Sequence, residues 1–108
     1  METLMKLQKN GIYLHYEDIV SICERYRLSE LSIFGSSIRD DFNEDSDIDI
    51  LIAYEDVWQN DPFDFLDIKE ELEQLTGRAV DISFRDGLRN PIRREDILGS
   101  REILYATA

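Results

Sequence analysis

The sequence predicts an α/β domain: a small mixed β-sheet with helices covering one face. Three observations carry that prediction. Short runs rich in β-branched and aromatic residues stand at 31–34 (LSIF), 47–54 (DIDILIAY) and 79–84 (AVDISF). Apolar residues at helical spacing lie before the first run and between the second and third. Helix and strand signals therefore alternate along the chain, a pattern that layers helices on a sheet.

Each element has its own local reason. In residues 17–27, Ile19, Ile22, Cys23 and Tyr26 fall at i, i+3, i+4 and i+7, one stripe of an amphipathic helix. Glu17 and Asp18 suit its positive end, and Arg25 and Arg27 its negative end. Cys23 sits on the stripe and reads as core, and His15 as structural. Gly35 stops the first strand, and Ser36 begins a short helix. Asp61 and Pro62 signal the start of the next long helix, as N-cap and first helical residue. Phe65, Ile68, Leu72 and Leu75 form its stripe, and Gly77 ends it. After the third strand, residues 85–91 read as loop, 92–98 as helix, and 101–106 as a last short strand or helical turn.

With 108 residues the chain has room for one core, so residues 1–108 are expected to form a single domain. A hydrophobic content of 43% excludes a disordered chain. Twelve basic against 24 acidic residues give a net charge of −12, which disfavours direct nucleic-acid binding and favours cations or a cationic partner. The acid is concentrated: fourteen of these residues lie between Asp40 and Glu73, while six arginines follow from Arg78 onward. One cysteine allows neither an internal disulfide nor a cysteine-built zinc site, and predicts a reducing, cytoplasmic setting. No apolar run approaches the ~20 residues of a membrane span.

The chemistry concentrates in FGSSIRDDFNEDSDIDIL, residues 34–51. Side chains alternate along a strand, so Asp47 and Asp49 share one face while Ile48, Ile50 and Ile52 share the other. Asp81 and Ser83 repeat that arrangement in the third strand. Were the two strands neighbours in register, three aspartates would meet on one face. Two carboxylates ~6.6 Å apart repel by roughly 2.5 kcal/mol at an effective dielectric of ~20. Mg²⁺ relieves that repulsion, since it takes one or two carboxylates together with phosphate and water oxygens. Asp47 and Asp49 are candidate ligands; Asp81 is a candidate ligand and proton acceptor. Ahead of them, Gly35 lets backbone approach a ligand closely, and Ser36 and Ser37 offer hydroxyls and N–H groups to an anion. Arg39 follows within reach of a phosphate. Arg89, Arg93 and Arg94 read more readily as surface charge than as phosphate or partner contacts.

This stretch resembles the signature of the polymerase-beta-like nucleotidyltransferase superfamily, in which Gly-Ser is followed after about ten residues by Asp-hydrophobic-Asp-hydrophobic. Asp81 in VDIS matches its third carboxylate, and the length and the tail resemble the minimal nucleotidyltransferase (MNT) branch. Asp40 departs from the pattern, which usually has glycine after Arg39. The resemblance implies the corresponding fold, two Mg²⁺ ions on Asp47, Asp49 and Asp81, and ATP held by Gly35, Ser36, Ser37 and Arg39. It implies AMP transfer to a protein hydroxyl, typically a tyrosine of a HEPN-domain ribonuclease toxin, with this chain as antitoxin. The alternative is a binding-only antitoxin that blocks its toxin sterically.

Two other readings compete for the aspartates. A calcium loop beginning at Asp41 would place Ser46 where glycine is needed and Ile52 where a bidentate glutamate is needed. A charged edge strand, protected from aggregation, explains Asp47 and Asp49 but neither the Gly-Ser spacing nor Asp81.

Overall fold

The first helix is one that the side-chain pattern does not announce. The computed structural model describes residues 2–56, 61 and 63–107, beginning with helix α1 (Glu2–Lys9). Eight residues burying only Leu7 have little intrinsic helical stability. Tertiary contacts hold α1 instead: Lys6 Nζ and Thr3 Oγ1 donate to the Glu102 carboxylate at 2.9 and 3.1 Å.

Helix α2 (Tyr16–Arg25) buries Ile19, Ile22 and Cys23, as its stripe predicts, and Tyr26 caps its C-terminus. Strand β1 (Leu28–Phe34) begins earlier than expected and passes into a 3₁₀ turn at Gly35–Ile38. Strand β2 (Ile48–Tyr54) starts just after Asp47. Helix α3 (Asp64–Thr76) is capped by Phe63, with Asp61 Oδ1 accepting from the Phe63 N–H at 2.8 Å. The N-cap expected at Asp61 is thus shifted by two residues to Phe63, and Pro62 lies outside the described residues. Ile68 and Leu72 are buried, but Leu75, in the last turn of the helix, is exposed. Gly77 ends α3 with φ +69° and donates its N–H to the Glu73 carbonyl. Strand β3 (Val80–Phe84) follows, then a 3₁₀ turn at Arg85–Gly87. Helix α4 (Pro91–Ser100) is longer than the 92–98 pattern because Asn90 caps it, accepting from the Ile92 and Arg93 N–H groups. The tail resolves as strand β4 (Glu102–Ala106).

The strand order is β3-β2-β1-β4, with β2 and β3 parallel and the other pairs antiparallel. Strand β2 is therefore internal, which removes the edge-strand reading of its aspartates. One face packs α1, α2 and α3 around Leu31, Ile33, Ile48, Ile50 and Ile52. On the other face, Ile97 of α4 packs against Phe34 and Leu51 in a second, smaller cluster. No helix among the described residues is long and apolar enough to cross a membrane.

Candidate active site

The site is built where β1 ends. Phe34 is the cross-strand partner of Asp49, and Asp49 is the in-register partner of Asp81 on β3. The end of β1, Asp49 and Asp81 thus form a row across three adjacent strands, with Asp47 two residues before Asp49. The convergence expected from alternation depends on β2 and β3 being neighbours in register, and they are.

Gly35 has φ +72°, a conformation that favours glycine. A Cβ placed there would collide with Asp49 Oδ2 and lie 3.1 Å from its carboxyl carbon. Only a residue without a side chain lets the turn and the carboxylate approach this closely. The turn is braced from three sides. Ser37 Oγ donates to the Phe34 carbonyl and accepts from the Asp49 N–H, both at 3.3 Å. Asn10 Nδ2, just beyond α1, donates to the Ser37 and Arg39 carbonyls at 2.7 and 3.1 Å. Arg39 N–H donates to the Ser36 carbonyl at 3.0 Å.

These contacts separate residues that adjoin in sequence. Ser37 is fully buried and its hydroxyl ties the turn to β2, so it positions Asp49. Ser36 is half-buried beside the glycine. Arg39 is exposed and forms a surface pair with Asp41 at 3.1 Å, a contact of small energy that a ligand can displace. Asp40 takes an ordinary negative φ: Arg27 is the only non-glycine residue with positive φ among the described residues. The glycine usual at that position is not required by this backbone.

Asp49 is half-buried, whereas Asp47 and Asp81 are exposed. Burial raises the Asp49 pKa above the ordinary carboxylate value, and the charges of Asp81 and Asp47 raise it further; Arg39 and Arg93 pull the other way. The ionised form of Asp49 thus lacks adequate compensation within the chain. No three Asp, Glu, His or Cys side chains among the described residues form a ready-made cation cage. The arrangement suits a hard cation that brings most of its oxygen ligands as water and phosphate.

A cleft of about 210 Å³ opens beside this row, lined by Gly35, Arg39, Arg93 and Ser100 among others. Arg93 and Asn10 are contributors that sequence reasoning did not place in the site. The spacing of Arg93 four residues before the buried Ile97 is a signal in retrospect; Asn10 offers none. Elsewhere, Cys23 is buried and burial pushes its thiol pKa up to about 12, as befits a core residue rather than a nucleophile.

The model of the nucleotidyltransferase domain matches residues 18–104. The chain belongs to the nucleotidyltransferase domain family. Within it, the similarities lie with the minimal nucleotidyltransferases. The protein adenylyltransferase MntA of Thermococcus cleftensis is 34% identical over 82 residues, covering 76% of this chain and 78% of its own. A solved structure assigned as a minimal nucleotidyltransferase aligns with a TM-score of 0.68 at 36% identity, over 81% of this chain and 86% of its own. The Shewanella oneidensis MNT antitoxin complex with a tri-AMPylated HEPN toxin includes a chain of the same fold, with a TM-score of 0.60 at 18% identity. That match covers 94% of this chain and 73% of the other. The nucleotidyltransferase match spans β1, the Gly-Ser turn and both aspartate-bearing strands.

Proposed function

We propose that this nucleotidyltransferase is a protein adenylyltransferase that moves AMP from ATP to a tyrosine hydroxyl of a HEPN-type toxin and thereby acts as its antitoxin. The acceptor oxygen attacks the α-phosphorus, the bond to the bridging oxygen breaks, and pyrophosphate leaves carrying that bond's electrons. The observation that supports this reading best is the row formed by Gly35, Asp49 and Asp81, with a carboxylate pressed against a glycine turn. The relatives reported above support the choice of AMP and of a toxin acceptor.

Asp47 and Asp49 would hold Mg²⁺, with Asp81 completing the set. The metal, when bound, supplies positive charge for the triphosphate and the developing pyrophosphate. Asp81, exposed at the rim, takes the acceptor hydroxyl's proton as the new P–O bond forms. Gly35 and Ser36 present backbone and hydroxyl to the phosphates, while Ser37 keeps the turn and Asp49 in fixed relation. Arg39 leaves its surface pairing with Asp41 to meet phosphate charge.

The test uses ATP labelled on the α-phosphate, Mg²⁺, this protein and a candidate HEPN-type toxin. The expected result is label on the toxin, located on tyrosine by mass spectrometry, and none with Asp47→Asn/Asp49→Asn. Toxin neutralised without label, equally well by wild type and double variant, would overturn the reading in favour of steric blocking.

A further inference from the structure

The arginines near the C-terminus fall into different structural situations. Arg85 and Arg101 are bound to the buried Glu30 carboxylate. Arg94 Nη1 donates to the Arg85 carbonyl at 3.0 Å. The Arg93 N–H donates to the Asn90 cap, but its guanidinium makes no hydrogen bond or ion pair among the described residues. It stands one helical turn before Ile97, the residue that seats α4 on Phe34 and Leu51, so it shares the helix face directed at the end of β1. There it lines the same cleft as Gly35 and Arg39, with Asp96 and Ser100 on the same wall.

We infer that Arg93 is a substrate-binding residue which, together with Arg39, grips the triphosphate of the nucleotide in the cleft beside Gly35. The inference rests on the proposed nucleotidyl transfer and adds to it the residue that holds the phosphate tail. The chemistry favours it: a planar guanidinium offers paired N–H donors matched to phosphate oxygens. Two arginines lining one cleft with Gly35 are placed to bind a polyanion that the surrounding carboxylates would otherwise repel. Both also act electrostatically on Asp49, which agrees with their lying near the carboxylate.

The experiment measures binding of a fluorescent ATP analogue in Mg²⁺, and steady-state AMP transfer, for wild type, Arg93→Ala, Arg93→Lys and Arg89→Ala. Arg93 is exposed, so the fold is expected to persist, and circular dichroism checks it. Arg93→Ala should weaken nucleotide binding by roughly 10- to 100-fold, the scale of losing a charge-assisted contact. The KM for ATP should rise by a similar factor while the KM for the acceptor protein stays level. Arg93→Lys should recover part of the affinity, and Arg89→Ala should match wild type. Wild-type binding retained in Arg93→Ala, with transfer intact, would overturn the role of Arg93 and leave the proposed activity standing. No nucleotide binding or transfer by wild type would overturn both.

Discussion

One face of the sheet carries two sets of carboxylates that are treated in opposite ways. Glu30 on β1 is almost fully buried at 3% exposure, and the chain supplies everything it needs. Ser32 Oγ donates to it at 2.6 Å, Arg101 Nε at 2.7 Å and Arg85 Nη1 at 3.1 Å. Burial alone would raise its pKa, but the hydroxyl and the two guanidiniums outweigh burial and hold it below the ordinary range. Asp49 is less buried yet moves upward, because its carboxyl neighbours Asp81 and Asp47 add to the effect of burial. The chain therefore neutralises the carboxylate that braces the fold and leaves less compensated the one pressed against the Gly35 turn. A buried charge matched by internal partners is structural; one without them is where the proposed cation would act.

The strongest test of this contrast removes each charge in turn. Asp47→Asn/Asp49→Asn should reduce AMP transfer by roughly 10³-fold or more, the scale of deleting a principal electrostatic stabiliser. The same variant should unfold in urea at a midpoint equal to or above wild type, since it relieves repulsion. Glu30→Ala should do the reverse and destabilise the fold. It removes the shared partner of two arginines, and a loss of about 3 kcal/mol is expected, near the low end for breaking a buried pair because Arg85 keeps Asp86 and Arg101 keeps the Leu98 carbonyl. Urea denaturation measures it directly.

A paired glycine substitution sharpens the comparison at smaller cost. Gly35 and Gly77 have nearly equal positive φ, +72° and +69°, so alanine at either should cost about 1–2 kcal/mol from the backbone. Only Gly35 abuts Asp49; nothing lies within 4 Å of a Cβ at Gly77. Gly35→Ala should therefore also displace the carboxylate and reduce transfer, whereas Gly77→Ala should leave transfer unchanged.

The smallest effect is in pH. Glu30, with its lowered folded pKa, contributes stability that is full above its unfolded value of about 4.3 and is lost as pH falls through the folded value. Asp49 has the opposite sign: its ionised form costs stability above its raised folded pKa, and acidification through that pKa removes the cost. Thermal melts with and without Mg²⁺ should accordingly show a metal-induced rise in Tm at neutral pH. That rise should disappear on acidification through the Asp49 pKa, on adding EDTA, and in Asp49→Asn at every pH.

Local information in the chain was sufficient for much of this. Helical stripes placed the buried faces of α2 and most of α3, and alternation put Asp47 and Asp49 on one side of β2. The Gly-Ser pair marked the turn, because a positive φ and a close carboxylate both demand a residue without a side chain. Less was legible where a residue's role depends on distant partners. Helix α1 has too little apolar surface to announce itself, yet Asn10 behind it braces the turn. Ser37 reads from sequence as a second anion ligand, and its burial turns it into a strut. Asp81 could be paired with Asp49 only if β3 lay beside β2.

The sequence by itself determined which side chains share a face and where the chain must turn, since alternation, helical period and the steric demands of glycine act over a few residues. Only the tertiary structure decided which carboxylates are satisfied. Glu30 finds its arginines 55 and 71 residues further along the chain, while Asp49 finds another aspartate on the neighbouring strand. Strand order and helix docking bring those groups together, and they are set by burial of the whole core rather than by any pattern local to the charges themselves.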